Sequence, residues 1–268
     1  KQFLAAKLPK RLVSDFLVFF EAIEAPIAIR SSSLLEDSQY QPFAGIYSTY
    51  MIPYVNDKYV MVRLLSDAVK AVYASVFYKD SKAYMSATQN LIDQEKMAIV
   101  LQEVVGSKYD NLYYPAISGV ARSINYYPIG NEKSEDGIVN MAFGLGKYIV
   151  DGNTGLRFSP LHTSNILQLS SLDLALKDTQ TQFYALDLDS VSKDFTVDDS
   201  FNLVKSRLKM ADNTSPLRYV ASTYDPQDQI IRDGYYEGGR KIISFANILQ
   251  HDTLPLAETF VKLLKAGQ

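Results

Sequence analysis

The sequence predicts a mixed α/β or α+β protein in two lobes. Apolar residues recur at helical spacing over the first 24 residues and over 59–84. Between such segments lie short apolar or alternating runs of strand character, among them 27–30, 96–106 and 137–146. Strands interleaved with helices point to α/β or α+β. The 268 residues carry only 10 prolines and 13 glycines, which leaves little material for a long linker. At 47% hydrophobic and 21% charged, a chain this long buries about three quarters of its unfolded surface and supports a substantial core.

The elements follow in order. Leu12, Phe16, Phe19, Phe20 and Ile23 keep one helical face, so 1–24 reads as a helix lying on a sheet and ending before Pro26. The run "PIAI" reads as a buried strand that delivers Arg30 to the sheet's end, "SSSLLEDSQYQP" as a loop, and 45–52 as the next strand. Val62, Leu65, Val69, Val72 and Val76 mark a long amphipathic helix over 59–84, with Arg63, Asp67 and Lys70 on its wet side. The apolar continuity of 96–106 points to a central strand covered on both faces, and a lobe boundary is expected near 104–106. Strands are expected at 116–124 and 137–146, the second turning into a short helix through paired glycines. Beyond them the pattern suggests a helix at 164–177, a strand at 183–189, a helix at 199–210 and strands at 217–224 and 241–248. A C-terminal helix has Pro255 in its first turn.

Composition bounds the function. A net charge of −3 provides no broad cationic field, so nucleic acid and anionic membranes are not expected as partners. The absence of cysteine excludes disulfides and thiolate sites and fits a reducing compartment, with cytoplasm as the expected location. No apolar run approaches the ~18 to 20 residues that a membrane span needs. The opening Lys1 suggests a piece of a longer protein.

Several chemistries fail on spacing. The pair of glycines in "FGLGKYIVDG" lacks a third at the dinucleotide spacing, and no Walker lysine followed by Ser or Thr occurs. The two histidines, His162 and His251, have no metal-ligand partner at i+3 or i+4 and read as structural. The aspartates over 187–199 lack the glycine and glutamate of a calcium loop, and no G-x-S-x-G elbow is present. Two features stay open. Arg30 with the serines after it suits phosphate oxygens, because a guanidinium fork matches them and hydroxyls add donors, but pairing with Glu36 or Asp37 would also explain it. The glycine turn at 144–147 could face a ligand through its amides and Lys147, or be there for packing.

Taken in series, "IAIRSSSLLEDSQYQPFAGIYSTYMI", "DAVKAVYASVFYKDSKAY", "MAIVLQEVVGS", "ISGVARSIN" and "MAFGLGKYIVDG" resemble the ATP-grasp-like nucleotide-binding part of phosphoenolpyruvate synthase (pyruvate, water dikinase) and pyruvate phosphate dikinase. The resemblance covers about 26–152. It implies a partial two-lobed fold, with a first lobe at 1–104 and a second lobe or lid at 105–268 that lacks the final metal-binding strand. It implies that Arg30, with Ser31 and Ser32, contacts ATP phosphates at the lobe interface, Arg30 in a catalytic role. Backbone groups at Gln102, Glu103 and Val104 would read the adenine edge, Ser118 and Gly119 would lie in a lid strand, and Gly144, Gly146 and Lys147 would line the nucleotide.

The reaction so implied converts ATP, pyruvate and water to phosphoenolpyruvate, AMP and phosphate through a phosphohistidine on another domain. ATP and Mg2+ are the implied cofactors, with the metal ligands expected outside this chain. Pyruvate and the phosphohistidine domain are the implied partners in the full-length protein, and a homo-oligomer is allowed. The chain departs from the family at Lys147, where glutamate is common, at Arg122, where an aromatic is common, and in having no "LQ-x-R-P" ending. The piece alone is therefore expected to be inactive, since clamping a transferring phosphoryl group needs metal and cations together. A non-catalytic nucleotide-sensing module and a related dikinase with another acceptor are the alternatives.

Overall fold

A computed structural model of the chain describes residues 2–33, 45–87, 95–192, 194–211 and 216–267. The chain packs as two units. Unit 1 gathers Lys1–Val105, Asp110–Leu112 and Leu186–Val204; unit 2 gathers Gly106–Tyr109, Tyr113–Ala185 and Lys205–Gln268. The mixed α+β class is as the sequence predicts, with every sheet pairing of known register antiparallel.

Unit 1 opens with two helices, α1 (Gln2–Ala5) and α2 (Lys10–Ala22), where one was expected. Pro9 takes φ −54 and ψ 137 ahead of α2, extended geometry that interrupts a continuous helix. Phe16 and Phe20 are buried, and Leu12, Phe19 and Ile23 pack against the same core. Strand β1 (Ile27–Ser33) follows. It runs through all three serines, so Arg30 lies mid-strand and not at the strand's end. Residues 34–42 of the expected loop, with Glu36 and Asp37, fall outside the described residues.

Of the strand expected at 45–52, only β2 (Tyr50–Ile52) forms. The expected long helix is two: α3 (Lys58–Ser75) and α4 (Lys79–Ala87), separated by a turn. Asp57 caps α3, its Oδ1 accepting from the amides of Tyr59 and Val60 at 2.9 and 3.2 Å. Met61, Leu64, Leu65, Ala68 and Val72 of α3 are buried. Lys70 pairs with Asp67 at 2.8 Å and donates to the Leu4 carbonyl at 2.9 Å, tying α1 to α3.

Strand β3 (Met97–Glu103) corrects a further expectation. It pairs with β1 alone in a three-stranded sheet of order β2-β1-β3, so among the described residues it is an edge strand and not a central one. Its burial alternates: Met97, Ile99 and Leu101 pack on the core, while Val100 is 44% exposed. The run is apolar on both faces, yet only one face is covered. The later part of unit 1 packs on β2: Tyr50 Oη donates to the Val197 carbonyl at 2.8 Å, and Asn202 Nδ2 donates to the Met51 carbonyl at 2.8 Å. The Tyr50 ring lies against Phe195, which in turn meets Phe201.

Unit 2 holds the larger part of a four-stranded sheet, order β10-β9-β5-β4. Its strands are β4 (Ser107–Tyr109), β5 (Leu112–Tyr114), β9 (Gln182–Asp187) and β10 (Leu203–Arg207). The last replaces the helix expected at 199–210; Val204 and Lys205 alternate in burial along an edge, and only a 3-10 turn, Leu208–Ala211, follows. A second sheet of order β6-β7-β8 comprises β6 (Ser118–Arg122), β7 (Ile138–Ala142) and β8 (Leu156–Phe158), with the short helix α5 (Lys147–Val150) after β7 as expected. The helix expected at 164–177 is shorter, α6 (Leu172–Asp178) preceded by a 3-10 turn.

The segments 217–224 and 241–248 each divide between helix and strand. They contain α7 (Leu217–Val220) and β11 (Ala221–Asp225), then β13 (Arg240–Ile243) and α8 (Ala246–Leu249), with β12 (Ile230–Arg232) completing the sheet β12-β11-β13. The C-terminal helix α9 (Leu256–Ala266) forms as predicted, with Pro255 at its N-cap. Phe260 of α9 meets Phe158 edge to face at 6.3 Å. No helix among the described residues is long and apolar enough to cross a membrane.

Candidate nucleotide site

The expected site residues fall into two groups, one in each unit. In unit 1, β1 and β3 pair in the register Ala28 with Gln102, Arg30 with Val100 and Ser32 with Ala98. Directly opposed residues share a face, so Arg30, Ser32, Val100 and Gln102 lie on one side of the sheet. Ser31, opposite Ile99, lies on the other side, toward the helices. Arg30 and Gln102 are exposed, and Arg30 Nη1 donates to Gln102 Oε1 at 3.4 Å.

The hydrogen-bond phase of this pair settles which peptide groups reach the sheet edge. The Val104 amide donates to the Pro26 carbonyl at 2.8 Å. Alternation in an antiparallel ladder then turns the peptide groups of Gln102 and Val100 toward β1, and those of Leu101 and Glu103 away from it. Of the three expected adenine-reading positions, Glu103 presents its N–H and carbonyl at the outer edge; Gln102 turns both of its groups toward β1, and the Val104 N–H is spent on the Pro26 carbonyl. Leu101 joins Glu103 at that edge, a residue the sequence reading passed over.

In unit 2, β6 and β7 pair Ser118 with Ala142 and Gly119 with Met141. A Cβ on Gly119 would stand 2.1 Å from the Asn140 carbonyl oxygen, so glycine here permits the close approach of the two strands. Gly144 has φ +86, and a Cβ there would stand 2.8 Å from the Tyr184 carbonyl oxygen. The Gly144 amide donates to Pro115 and the Leu145 amide to Tyr184. Gly146 opens α5 with the Ser118 side chain beside it; a Cβ on Gly146 would stand 3.8 Å from that of Ser118. Ser118 Oγ is buried and makes no hydrogen bond, an orphan that calls for a polar partner. Lys147 Nζ pairs with Asp151 at 3.1 Å, one turn along α5. Ser118, Gly119, Gly144, Gly146 and Lys147 are thus brought together within unit 2.

A family model described as the pyruvate phosphate dikinase AMP/ATP-binding domain matches residues 1–200. The chain belongs to this family. Among relatives of the pyruvate phosphate dikinase AMP/ATP-binding domain, it is 30% identical over 147 residues to an uncharacterized phosphotransferase, YvkC, of Bacillus subtilis, covering 55% of this chain and 16% of that protein. It is 30% identical over 170 residues to the phosphoenolpyruvate synthase of Aeropyrum pernix, covering 62% of this chain and 18% of that protein. The matched part is therefore less than a fifth of either relative.

Family membership supports binding of ATP by this domain and a place among phosphotransferases. Among the described residues no group of three His, Asp or Glu side chains is placed to hold a metal ion.

Proposed function

We propose that the chain is the ATP-binding part of a phosphotransferase of the phosphoenolpyruvate synthase type, in which ATP, pyruvate and water give phosphoenolpyruvate, AMP and phosphate through a phosphohistidine carried on another domain. In this reading Arg30 holds the phosphates and steadies charge on the transferring group, with Ser32 beside it on the same face. The outward peptide groups of Glu103 and Leu101 read the adenine edge. Ser118, Gly119 and the turn from Gly144 through Gly146 to Lys147, all within unit 2, are further candidates to contact phosphate or nucleotide. Ser31, facing the helices, supports β1.

The observation that carries the reading is the placement of Arg30 on an exposed sheet face, next to a strand edge whose peptide groups are turned outward. Calorimetry with ATP and ADP tests it on the wild-type chain and on Arg30→Ala. The expected result is saturable ATP binding that weakens at least tenfold in the variant, a loss of about 1.4 kcal/mol. Equal binding by both proteins, or no binding by either, overturns it.

A second reading is a nucleotide-sensing module without catalysis. The pairing of Lys147 with Asp151 favours it, because that lysine is partly neutralised at the position where the family commonly carries glutamate.

A further inference from the structure

One face of the four-stranded sheet, most of which lies in unit 2, carries exposed cations on its outer strands and half-buried tyrosines between them, with Leu186 buried on the same face. The Leu208 amide donates to the Thr181 carbonyl and the Asp187 amide to the Asn202 carbonyl, which sets Tyr184 opposite Lys205 and Gln182 opposite Arg207. Lys205 Nζ stands 5.3 Å from the Tyr184 ring centroid, as that register requires. The Leu188 amide donates to the Asn111 carbonyl, which places Tyr113 on the same face, and the two-residue turn at Asp110 and Asn111 sets Lys108 opposite Tyr113. The other face is the core, where the Tyr114 and Phe183 rings meet at 5.0 Å.

Across the sheet the order is therefore Lys205 and Arg207 on β10, Gln182 and Tyr184 on β9, Tyr113 on β5 and Lys108 on β4. Lys108, Lys205 and Arg207 are exposed, and none of them has a carboxylate partner among the described residues. In a chain of net charge −3, Lys205 and Arg207 on one strand concentrate local positive potential. Lys205 and Arg207 stand about 7 Å apart along the strand, close enough for both to reach one polyphosphate. The half-buried Tyr113 and Tyr184 lie between the cation rows. The glycine turn joins this sheet: Leu145 donates to the Tyr184 carbonyl at 2.9 Å.

We infer that this face is a binding surface for a small polyphosphate, held by Lys205 and Arg207 with Lys108 on the far row. Residues 205 and 207 lie beyond the segment that matches the family model, so the surface adds to the proposed nucleotide site and stands independently of Arg30. A small anion is favoured over a nucleic acid because a chain of net charge −3 has no broad cationic field beyond this patch, and charges more than about 8 to 10 Å away are screened in physiological salt.

The test is titration of inorganic triphosphate, ATP and a uridine 12-mer into the wild type, the double variant Lys205→Glu with Arg207→Glu, the milder double variant Lys205→Gln with Arg207→Gln, and Arg30→Ala, at two salt concentrations. Thermal melts confirm folding. The expected result is triphosphate binding that falls at least tenfold in both double variants and weakens as salt rises. Unchanged triphosphate binding in the folded double variants, no binding by the wild type, or tighter binding of a uridine 12-mer than of triphosphate overturns the inference. Loss in Arg30→Ala alone sinks this surface and keeps the proposed function; loss in the double variants alone does the reverse.

Discussion

Arg30 and Gln102 meet on the exposed face of β1 and β3, guanidinium to amide oxygen at 3.4 Å, one step diagonal from the direct pairing of Arg30 with Val100. Both side chains are exposed, so the contact does little for folding. Arg30→Ala is expected to leave the urea midpoint within the change of about 0.5 kcal/mol typical of surface sites, while weakening ATP. Gln102→Ala removes a competitor for the guanidinium and is expected to keep or tighten ATP affinity. Paired urea melts and calorimetry check both.

The ladder phase of β3 separates two neighbouring backbone positions. Glu103→Pro deletes an amide that points away from β1, so the fold persists and ATP binding falls. Gln102→Pro deletes an amide that bonds to β1, leaves its partner carbonyl unpaired and is expected to destabilise unit 1 by about 1 to 3 kcal/mol. Denaturant melts distinguish the pair; equal loss of stability in both would show the phase to be wrong.

The glycines of the turn in unit 2 differ in what they tolerate. Gly144, with φ +86 and a Cβ position 2.8 Å from the Tyr184 oxygen, is expected to lose about 1 to 3 kcal/mol on change to Ala. Gly146 has φ −60, and its nearest neighbour would stand 3.8 Å away, so Gly146→Ala is expected to be nearly neutral for stability. Any loss of nucleotide affinity in Gly146→Ala then reports on ligand space alone.

Burial, with Tyr78 nearby, pushes the Tyr50 hydroxyl well above its ordinary value of 10.0. The folded protein keeps this group neutral where the unfolded chain ionises. Its contribution is therefore complete below pH 10 and is lost as pH rises through the alkaline range above it. Tyr50→Phe is expected to cost about 1 kcal/mol at neutral pH, through loss of the bond to the Val197 carbonyl, and to flatten the decline in stability above pH 10. Urea melts from pH 8 to 11 measure both effects.

The amphipathic pattern of α3, the C-terminal helix and the glycine turn after β7 were all legible in the sequence. In each, a single local period or an obligatory glycine decides the structure without distant partners. The helix breaks were less legible: Pro9 announces one, while the turn between α3 and α4 lies within a run of unbroken helical character. The sequence also presented β3 as doubly covered, because Ala98, Val100 and Val104 are apolar; only the packed chain shows that Arg30 and Gln102 share an open face with Val100.

What the sequence determined by itself was the kind of protein, an α+β member of a nucleotide-binding family, and its candidate chemical parts, an arginine, a strand and a glycine turn. Tertiary structure decided how those parts are aimed. Strand period two puts Arg30 and Ser32 on one face and Ser31 on the other, and a hydrogen bond from Val104 to Pro26 chooses which amides are left at the edge. Composition and spacing carry no record of that phase, because it depends on which residues of distant segments stand opposite one another.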